Sequence, residues 1–337
     1  MKQGDYYMKE NTKSLMEIHL AVFLFGLSGL FGKLLSLSST IIVFGRVFFS
    51  SIFLLILIFY LKKDMKKIGF IGCGNMGEAM LSGALKSGII NPEDVIVHTK
   101  IRKRVEELNE KYCVIMAADN KEVAANARII ILGVKPNIYK EVIEDTRGVV
   151  SSNSIVITIA PSFTIDELKK IYDKEIKVVR AMPNTPSMVG CGVSGISFSE
   201  DITEDEKREV SEFFNCSGEA IEVKEELMKA VGSVSGSSPA FIYMLIEAMA
   251  EGAVLMGISK NDAYKFAAKA VEGAAKMVLE TGKHPGELRD AVCSAGGTTI
   301  EGVIELERNG FKGNIIQAMI KSADKFQEMQ DQEKCKN

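Results

Sequence analysis

The stretch that decides the fold is Lys66-Lys67-Ile68-Gly69-Phe70-Ile71-Gly72-Cys73-Gly74-Asn75-Met76-Gly77-Glu78-Ala79-Met80. Its segment Ile68 to Ile71 is short, apolar and partly β-branched, which predicts a buried strand. A glycine cluster follows, directly before a run that favours helix, Glu78 to Lys86. The order therefore predicts a strand, a tight turn and a helix.

The glycines of this turn have the spacing that a bound dinucleotide requires. Gly72 allows the backbone to reverse, Gly74 leaves room for a pyrophosphate, and Gly77 lets the helix pack close to the strand. The helix N-terminus adds free N–H groups and a partial positive charge. We therefore expect a dinucleotide site that includes Asn75 and Met76; a purely steric glycine turn is the alternative.

Composition limits the function classes. The 337 residues carry 41 Lys and Arg against 44 Asp and Glu, a net charge of -3, which does not favour binding to nucleic acid. The six cysteines form no C-x-x-C pair, and with three histidines they show no ligand spacing. We expect reduced cysteines in a cytoplasmic protein and no metal site.

Residues 1–64 differ from the rest of the chain. Two apolar runs, Ile18 to Gly32 and Ile41 to Leu61, are flanked by lysines on both outer sides. The pattern predicts a hydrophobic helical hairpin over residues 15–61 that anchors the chain to a membrane with both ends cytoplasmic. The alternative is a soluble helical pair buried against a partner.

From Met65 onward, strand and helix patterns alternate. Strands are predicted at 67–71, 94–98, 114–116, 129–133, 155–159, 177–181 and 219–223, with helices between them. This rhythm predicts an α/β domain over 65–224 with a doubly wound, Rossmann-type parallel sheet. Thr203-Glu204-Asp205-Glu206 predicts a capping box at the start of a helix that runs to Phe214. Beyond this domain, strand patterns stop, and caps and stops such as Ser259-x-x-Asp262 and Gly282 predict an all-α domain over 225–337.

The end of the second predicted strand bears on the choice of coenzyme. It reads His98-Thr99-Lys100-Ile101-Arg102-Lys103-Arg104, without the carboxylate that would hold the ribose hydroxyls of NAD. A hydroxyl and cations suit a 2′-phosphate instead. We therefore expect NADPH, with NADH as the alternative coenzyme, and contacts from Thr99 and Arg102; a solvated basic surface is the other interpretation.

Two further loops follow predicted parallel strands. Val134-Lys135-Pro136-Asn137 follows the fourth strand, and Ala181-Met182-Pro183-Asn184-Thr185-Pro186 follows the sixth. Open sheets bind ligands at the carboxyl ends of their strands. We expect Val134, Lys135 and Pro136 to line the coenzyme and Asn184 to lie against the nicotinamide.

A second glycine-containing turn lies in the helical region, at Cys293-Ser294-Ala295-Gly296-Gly297-Thr298-Thr299-Ile300. Exposed N–H groups before a helix can bind an anion, and the scale of this turn suits a carboxylate. The hydroxyls of Ser294, Thr298 and Thr299 could donate to a small polar ligand. A simple helix cap is the alternative.

Together these motifs resemble pyrroline-5-carboxylate reductase over Met65 to about Gln330. The resemblance rests on Gly72–Gly77, Val134–Pro136, Arg180–Pro186, Gly236–Phe241 and His284–Thr299, in that order. Ala295 stands where the family usually has proline, Ser238 where it usually has glycine, and Pro161 where Ala-Gly is common. The preceding hairpin resembles the first two helices of drug/metabolite transporters, but two helices cannot form a transport path.

The resemblance implies NAD(P)H-dependent reduction of 1-pyrroline-5-carboxylate to L-proline, the last step of proline synthesis, by a homodimer or a larger ring of dimers. It implies that Ser294, Gly296, Gly297, Thr298 and Thr299 bind the substrate, with the hydroxyl of Thr299 bonded to the ring nitrogen as the catalytic contact.

Two rival functions remain at the level of sequence. A β-hydroxyacid dehydrogenase shares a nucleotide domain followed by helices, but needs a lysine base, for which Lys229 and Lys276 are available. A membrane-tethered nucleotide-binding or transport component without catalysis would account for the hairpin. It would leave the set of reductase motifs unexplained.

Overall fold

The structure, a computed structural model, describes Phe48, Ser51 and residues 68–334. The predicted N-terminal hairpin and its transporter-like pair of helices lie outside the described residues, apart from those two positions. The continuous described part of the chain begins at Ile68.

The described part contains one eight-stranded sheet, in the order β3-β2-β1-β4-β5-β6-β7-β8. Its strands are β1 Ile68–Ile71, β2 Val95–His98, β3 Ile115–Met116, β4 Ile129–Leu132, β5 Ile155–Thr158, β6 Lys177–Met182, β7 Gly192–Phe198 and β8 Gly218–Glu222. β1 lies between β2 and β4, with Ile68 opposite Val95 on one side and Ile129 on the other. The first six strands are parallel and follow the order of a dinucleotide-binding fold.

One strand differs from the prediction. β7 was not predicted, and it runs antiparallel to β6, with Ala181 opposite Ile196, before β8 continues parallel to it. The sheet is therefore mixed rather than wholly parallel. The sequence of β7, Gly-Val-Ser-Gly-Ile-Ser-Phe, is rich in glycine and serine, and glycine lowers the local preference for a strand. Hydrogen bonds to β6 on one side and β8 on the other stabilise β7 as a strand despite its weak local preference.

Helices cover both faces of the sheet. They are α1 Asn75–Ser87, α2 Arg102–Tyr112, α3 Asn120–Asn126, α4 Tyr139–Thr146, α5 Ile165–Tyr172 and α6 Glu204–Asn215. Along β4, Ile129 and Ile131 pack in one hydrophobic core and Ile130 and Leu132 in the other. This alternation is the period of two that a strand buried on both faces produces.

The chain then becomes helical. The helices are α7 Met228–Val231, α8 Ser238–Leu255, α9 Lys260–Thr281, α10 Pro285–Ala291, α11 Thr298–Arg308 and α12 Phe311–Lys334. The cap predicted before α9 is present, since the Ser259 hydroxyl accepts a hydrogen bond from the backbone N–H of Asp262. Gly282 ends that helix in the left-handed conformation, with φ 63°.

A π-helix, Gly232–Ser237, connects α7 to α8, and it was not predicted. Serine hydroxyls bond the backbone around it: Ser235 donates to the carbonyl of Val231, and Ser238 to that of Val234. Ser233 donates to the carbonyl of Met319 at 2.7 Å, which ties the segment to α12. Such wide turns recur at functional sites.

Within the described residues, one helical stretch, Glu225–Leu255, is long and apolar enough to cross a membrane by length and composition alone. Its mean hydropathy reaches 1.3, and 6% of the most apolar window is buried. Helices that pack against another subunit pass the same test, so this observation is weak evidence for a membrane.

Candidate functional site

The three glycines of the turn after β1 differ in how closely their neighbours approach: Gly72 has no room for a side chain, Gly77 is tightly packed, and Gly74 has open space. Gly72 has φ 81°, and a Cβ there would lie 2.6 Å from a methyl group of Val134. A Cβ at Gly77 would lie 3.2 Å from the sulfur of Cys73. A Cβ at Gly74 would meet nothing within 4 Å. The space above Gly74 is therefore open, as a bound pyrophosphate requires.

The turn is held at the carboxyl edge of the sheet by its neighbours. The N–H of Gly72 donates to the carbonyl of His98 at 2.8 Å, and the N–H of Gly133 donates to that of Ile71 at 2.9 Å. Asn75 and Met76 are the first two residues of α1, so their N–H groups belong to the free end of the helix. The geometry fits a dinucleotide phosphate at this edge.

The basic segment after β2 lies beside this turn, but its members differ. The side chain of Arg102 is 93% exposed and pairs with Glu106 one turn along α2. The hydroxyl of Thr99 donates to the carbonyl of Ile101 at 2.9 Å, which shapes the loop. At the strand end, His98 bonds Asn120 at 2.7 Å, and residues 98–105 include no carboxylate. The arrangement suits a 2′-phosphate better than two ribose hydroxyls.

The loop after β4 brings the next three predicted residues to the same edge. Val134 lies against Gly72, because a Cβ on that glycine would meet its methyl group. Lys135 precedes the short 3₁₀ helix Pro136–Ile138, and its side chain is exposed. Their contacts with a coenzyme stay a prediction.

Asn184 has a different setting from the one expected. It is 6% exposed, its amide nitrogen donates to the carbonyl of Ser235 at 3.1 Å, and its amide oxygen accepts from the N–H of Val193 at 2.9 Å. The side chain therefore ties the loop after β6 to the π-helix. A contact of Asn184 with the nicotinamide stays a prediction, and these two bonds limit what its amide can offer.

A buried arginine joins the two halves of the described part, and sequence reasoning missed its role. Arg180 on β6 is 2% exposed and pairs with Glu225 at 3.1 Å. It also donates to the carbonyl of Pro161 at 2.8 Å, which accepts a second bond from Gln330 on α12. Burial lowers the pKa of Arg180, and Glu225 opposes that shift. A charge inside a predicted apolar strand was the available signal.

The second glycine turn leads into α11. The N–H of Gly297 donates to the carbonyl of Ser294 at 3.0 Å, and Gly296 has φ 68°. A positive φ at the third position of such a turn requires glycine. Ser294, Thr298 and Thr299 are exposed in the single chain. Their hydroxyls are available at the start of the helix.

Other candidates are less suited to a site. Lys276, the lysine considered as a dehydrogenase base, is 63% exposed and pairs with Glu272 on the same helix. No group of three or more His, Cys, Asp or Glu residues in the described part could hold a metal ion. A cleft of about 620 Å³ lies between α5 and β7–β8, but no predicted site residue lines it.

Comparison with known proteins identifies both halves. Residues 225–329 match the family described as pyrroline-5-carboxylate reductase dimerisation, and residues 67–162 match NADP oxidoreductase coenzyme F420-dependent. The chain is 45% identical over 264 residues to the pyrroline-5-carboxylate reductase of Escherichia coli (strain K12), covering 78% of this chain and 98% of that one. The reductase of Methanosarcina acetivorans is 39% identical over 266 residues, with 79% and 98% covered.

Solved structures agree. A pyrroline-5-carboxylate reductase from Coxiella burnetii superimposes with a TM-score of 0.75 at 32% identity, covering 79% of this chain and 98% of that one. The Plasmodium falciparum pyrroline carboxylate reductase, solved with NADP bound, gives 0.72 at 29% identity with the same coverage. The chain belongs to the pyrroline-5-carboxylate reductase family.

Proposed function

We propose that this chain catalyses the NAD(P)H-dependent reduction of 1-pyrroline-5-carboxylate to L-proline, the final step of L-proline biosynthesis. The observation that carries the proposal is its 45% identity to a named reductase over 98% of that protein's length. The open space at Gly74 supports the coenzyme half of the reaction, because the fold itself gives no reason for glycine there.

The coenzyme site is proposed at the carboxyl edge of the sheet. The N–H groups that open α1 and the space above Gly74 would hold the pyrophosphate, while Thr99 and Arg102 would contact the 2′-phosphate of NADPH. Val134, Lys135, Pro136 and Asn184 would line the remaining length of the coenzyme. When bound, NADPH supplies a hydride.

The substrate site is proposed at the turn before α11. The N–H groups of Gly296 and Thr298 would bind the carboxylate, with Ser294 beside them, while the N–H of Gly297 closes the turn on the Ser294 carbonyl. Thr299 would hydrogen-bond the ring nitrogen and orient the C=N bond. Because an imine is basic enough to arrive protonated, the protein need not supply a strong acid, and holding the two reactants together can provide most of the acceleration.

The site is proposed to be shared between two copies of the chain, since the substrate turn is exposed in one chain. The helical part would form the homodimer, and dimers would build larger rings. We propose the domain boundaries 65–224 and 225–337. The catalytic part would be cytoplasmic, with residues 15–61 as its membrane anchor; support for the anchor comes only from the apolar pattern.

The test is NADPH oxidation with 1-pyrroline-5-carboxylate, measured on the full chain and on a fragment that begins at Met65. Both should turn over, and Gly74→Val should fold normally but bind no coenzyme. Oxidation of 3-hydroxyisobutyrate with NADP⁺, without activity on the pyrroline, would overturn the proposal in favour of a β-hydroxyacid dehydrogenase. An inactive fragment beside an active full chain would assign a role to the hairpin.

A further inference from the structure

The basic residues after β2 do not all face the same way. Arg102 extends into solvent and pairs along its own helix. Arg104, two residues later, has a side chain that is 26% exposed and turns toward the glycine turn after β1. Its Nε donates to the carbonyl of Cys73 at 3.2 Å, and its terminal nitrogen donates to Glu78. The segment thus contains two arginines with separate tasks.

The contact with Cys73 fixes a peptide plane at the centre of the turn. In a trans peptide the carbonyl of one residue and the N–H of the next point in opposite directions. A bond from Arg104 to the carbonyl of Cys73 therefore sets the direction of the Gly74 N–H. A Cβ on Gly74 would meet nothing within 4 Å, so the turn is open at this residue.

Glu78 completes the arrangement. It lies in the first turn of α1, where an uncompensated carboxylate would repel a phosphate. Lys111 donates to it at 2.8 Å and Tyr112 at 2.9 Å, both at the same oxygen, while Arg104 bonds the other oxygen. We call Glu78, Arg104, Lys111 and Tyr112 the Glu78 cluster; it ties α1 to α2.

The cluster holds Glu78 ionised. The hydrogen bond from Lys111 lowers the pKa of Glu78, whereas burial raises it. Further hydrogen bonds from Arg104 and Tyr112 also lower it, and the resulting pKa is about 2. The carboxylate is therefore charged and compensated throughout the neutral range. The link between the two helices does not change with pH there.

We propose that Arg104 is a coenzyme-positioning residue that holds the Cys73 peptide so that the Gly74 N–H faces the pyrophosphate. This inference rests on the proposed function. The pyrophosphate is common to NADH and NADPH, whereas the 2′-phosphate belongs to NADPH alone. Arg104 therefore serves both coenzymes equally, and Arg102 serves only NADPH.

The experiment measures the Kd of NADPH and of NADH by calorimetry for the wild type, Arg104→Gln, Arg104→Lys and Arg102→Gln. Arg104→Gln should raise both Kd values by the same factor, about tenfold. Arg104→Lys should recover part of the affinity, because an ammonium group can still donate to the carbonyl of Cys73. Arg102→Gln should raise the Kd of NADPH alone.

Matched controls separate positioning from folding. Arg208, which pairs with Asp205 on α6, provides an arginine in a surface ion pair, and Arg208→Gln should change neither Kd. With both substrates saturating, Arg104→Gln should keep its kcat, and its apo form should stay folded at the assay temperature although it loses the bond to Glu78. A fall in kcat at saturating coenzyme and substrate would overturn the inference by assigning Arg104 a structural role.

Two other outcomes would also overturn it. An unchanged Kd for both coenzymes would mean that the Cys73 contact is not needed, and a rise confined to NADPH would make Arg104 a 2′-phosphate ligand. The proposed function fails separately, if the wild-type protein neither binds NADPH nor reduces the pyrroline.

Discussion

The two halves of the described part bury their apolar side chains very differently. In the sheet half, residues 68–222, most strand side chains are buried on both faces, and Phe70, Ile131 and Val156 have no exposed surface. In the helical half, 225–334, the hydrophobic cluster of buried residues comprises Ala250, Ala263 and Ala267. Large apolar side chains there stay exposed, such as Leu255 at 89% and Phe266 at 66%.

This difference teaches where the second copy of the chain belongs. Apolar area on this scale, left in water, marks an interaction surface in a soluble protein. On α9, Phe266, Ala270, Gly273 and Met277 recur at helical spacing, and all four are exposed. The sheet half has a complete core in one chain, whereas the helical half requires a partner to complete its own.

The largest expected effect is on dimer assembly, and it is tested by the same substitution at two methionines of nearly equal exposure. Met277 on α9 is 50% exposed and Met116 on β3 is 49% exposed. Met277→Glu should place a carboxylate in the dimer interface at a cost of about 3 kcal/mol, which weakens the dimer roughly a hundredfold and removes activity with it. Sedimentation velocity should show monomers for Met277→Glu and intact assemblies for Met116→Glu. If both variants stay assembled, the exposed apolar face of the helical half is not the dimer interface.

The second effect concerns stability within the sheet half. Glu206, 7% exposed, pairs with Arg128 at 2.5 Å and Lys177 at 2.8 Å and caps α6 through Thr203. Burial alone would raise the pKa of Glu206, but hydrogen bonds from Lys177, Thr203 and Arg128 outweigh it and lower the pKa to about 2. Glu206→Gln keeps a capping side chain and should cost about 2 kcal/mol at neutral pH.

The sign of its pH dependence follows from the lowered pKa. The contribution of Glu206 to the free energy of unfolding is fully present above 4.5, the pKa of this carboxyl in the unfolded chain. It is lost as the pH falls toward about 2, the pKa in the folded chain. Urea unfolding of wild type and Glu206→Gln should therefore converge in acid. Glu204→Gln, at a side chain that is 82% exposed on the same helix, should change stability by no more than about 0.5 kcal/mol. A constant difference between wild type and Glu206→Gln across pH would contradict this account.

The third effect belongs to the substrate turn and should leave stability unchanged. Thr299→Ala should lower kcat at least about tenfold, because it removes the hydroxyl that orients the ring nitrogen. Its unfolding midpoint should match the wild type, since Thr299 is exposed in the chain. Thr299→Ser, which keeps the hydroxyl, should restore most of the turnover. Unchanged kinetics in Thr299→Ala would refute its role.

The smallest effect concerns the departure from the family pattern at Ala295. This residue takes the second position of the turn closed by Gly297 and Ser294, where proline is favoured. Ala295→Pro should restrict the backbone of the turn, which lowers the entropic cost of ordering it by about 0.4–1 kcal/mol. The KM for the pyrroline should then fall about two- to fivefold. Ala295→Gly should shift the KM in the opposite direction. A higher KM for the proline variant would show that the turn needs its present freedom.

The sequence predicted those features that depend on local chemistry. The turn after β1, the cap at Ser259 and the capping box between Thr203 and Glu206 all follow from residues within a few positions of each other, and each is present. The features it missed depend on distant partners. β7 is stabilised by pairing with β6 and β8, and the amide of Asn184 donates to the carbonyl of Ser235, 51 residues away. Arg102 and Arg104 are the same residue type on one helix, and only the fold separates their contacts.

The central claim is that the coenzyme half of one chain works with the substrate turn of another copy. Its most direct test coexpresses Gly74→Val, which binds no coenzyme, with Thr299→Ala, which turns over at least about tenfold more slowly, under two affinity tags. If the site is shared, each mixed dimer contains one intact site, and the purified mixed dimers should recover about half of wild-type activity. Activity no higher than that of the two parent variants would contradict the claim and place both halves of the site in one chain.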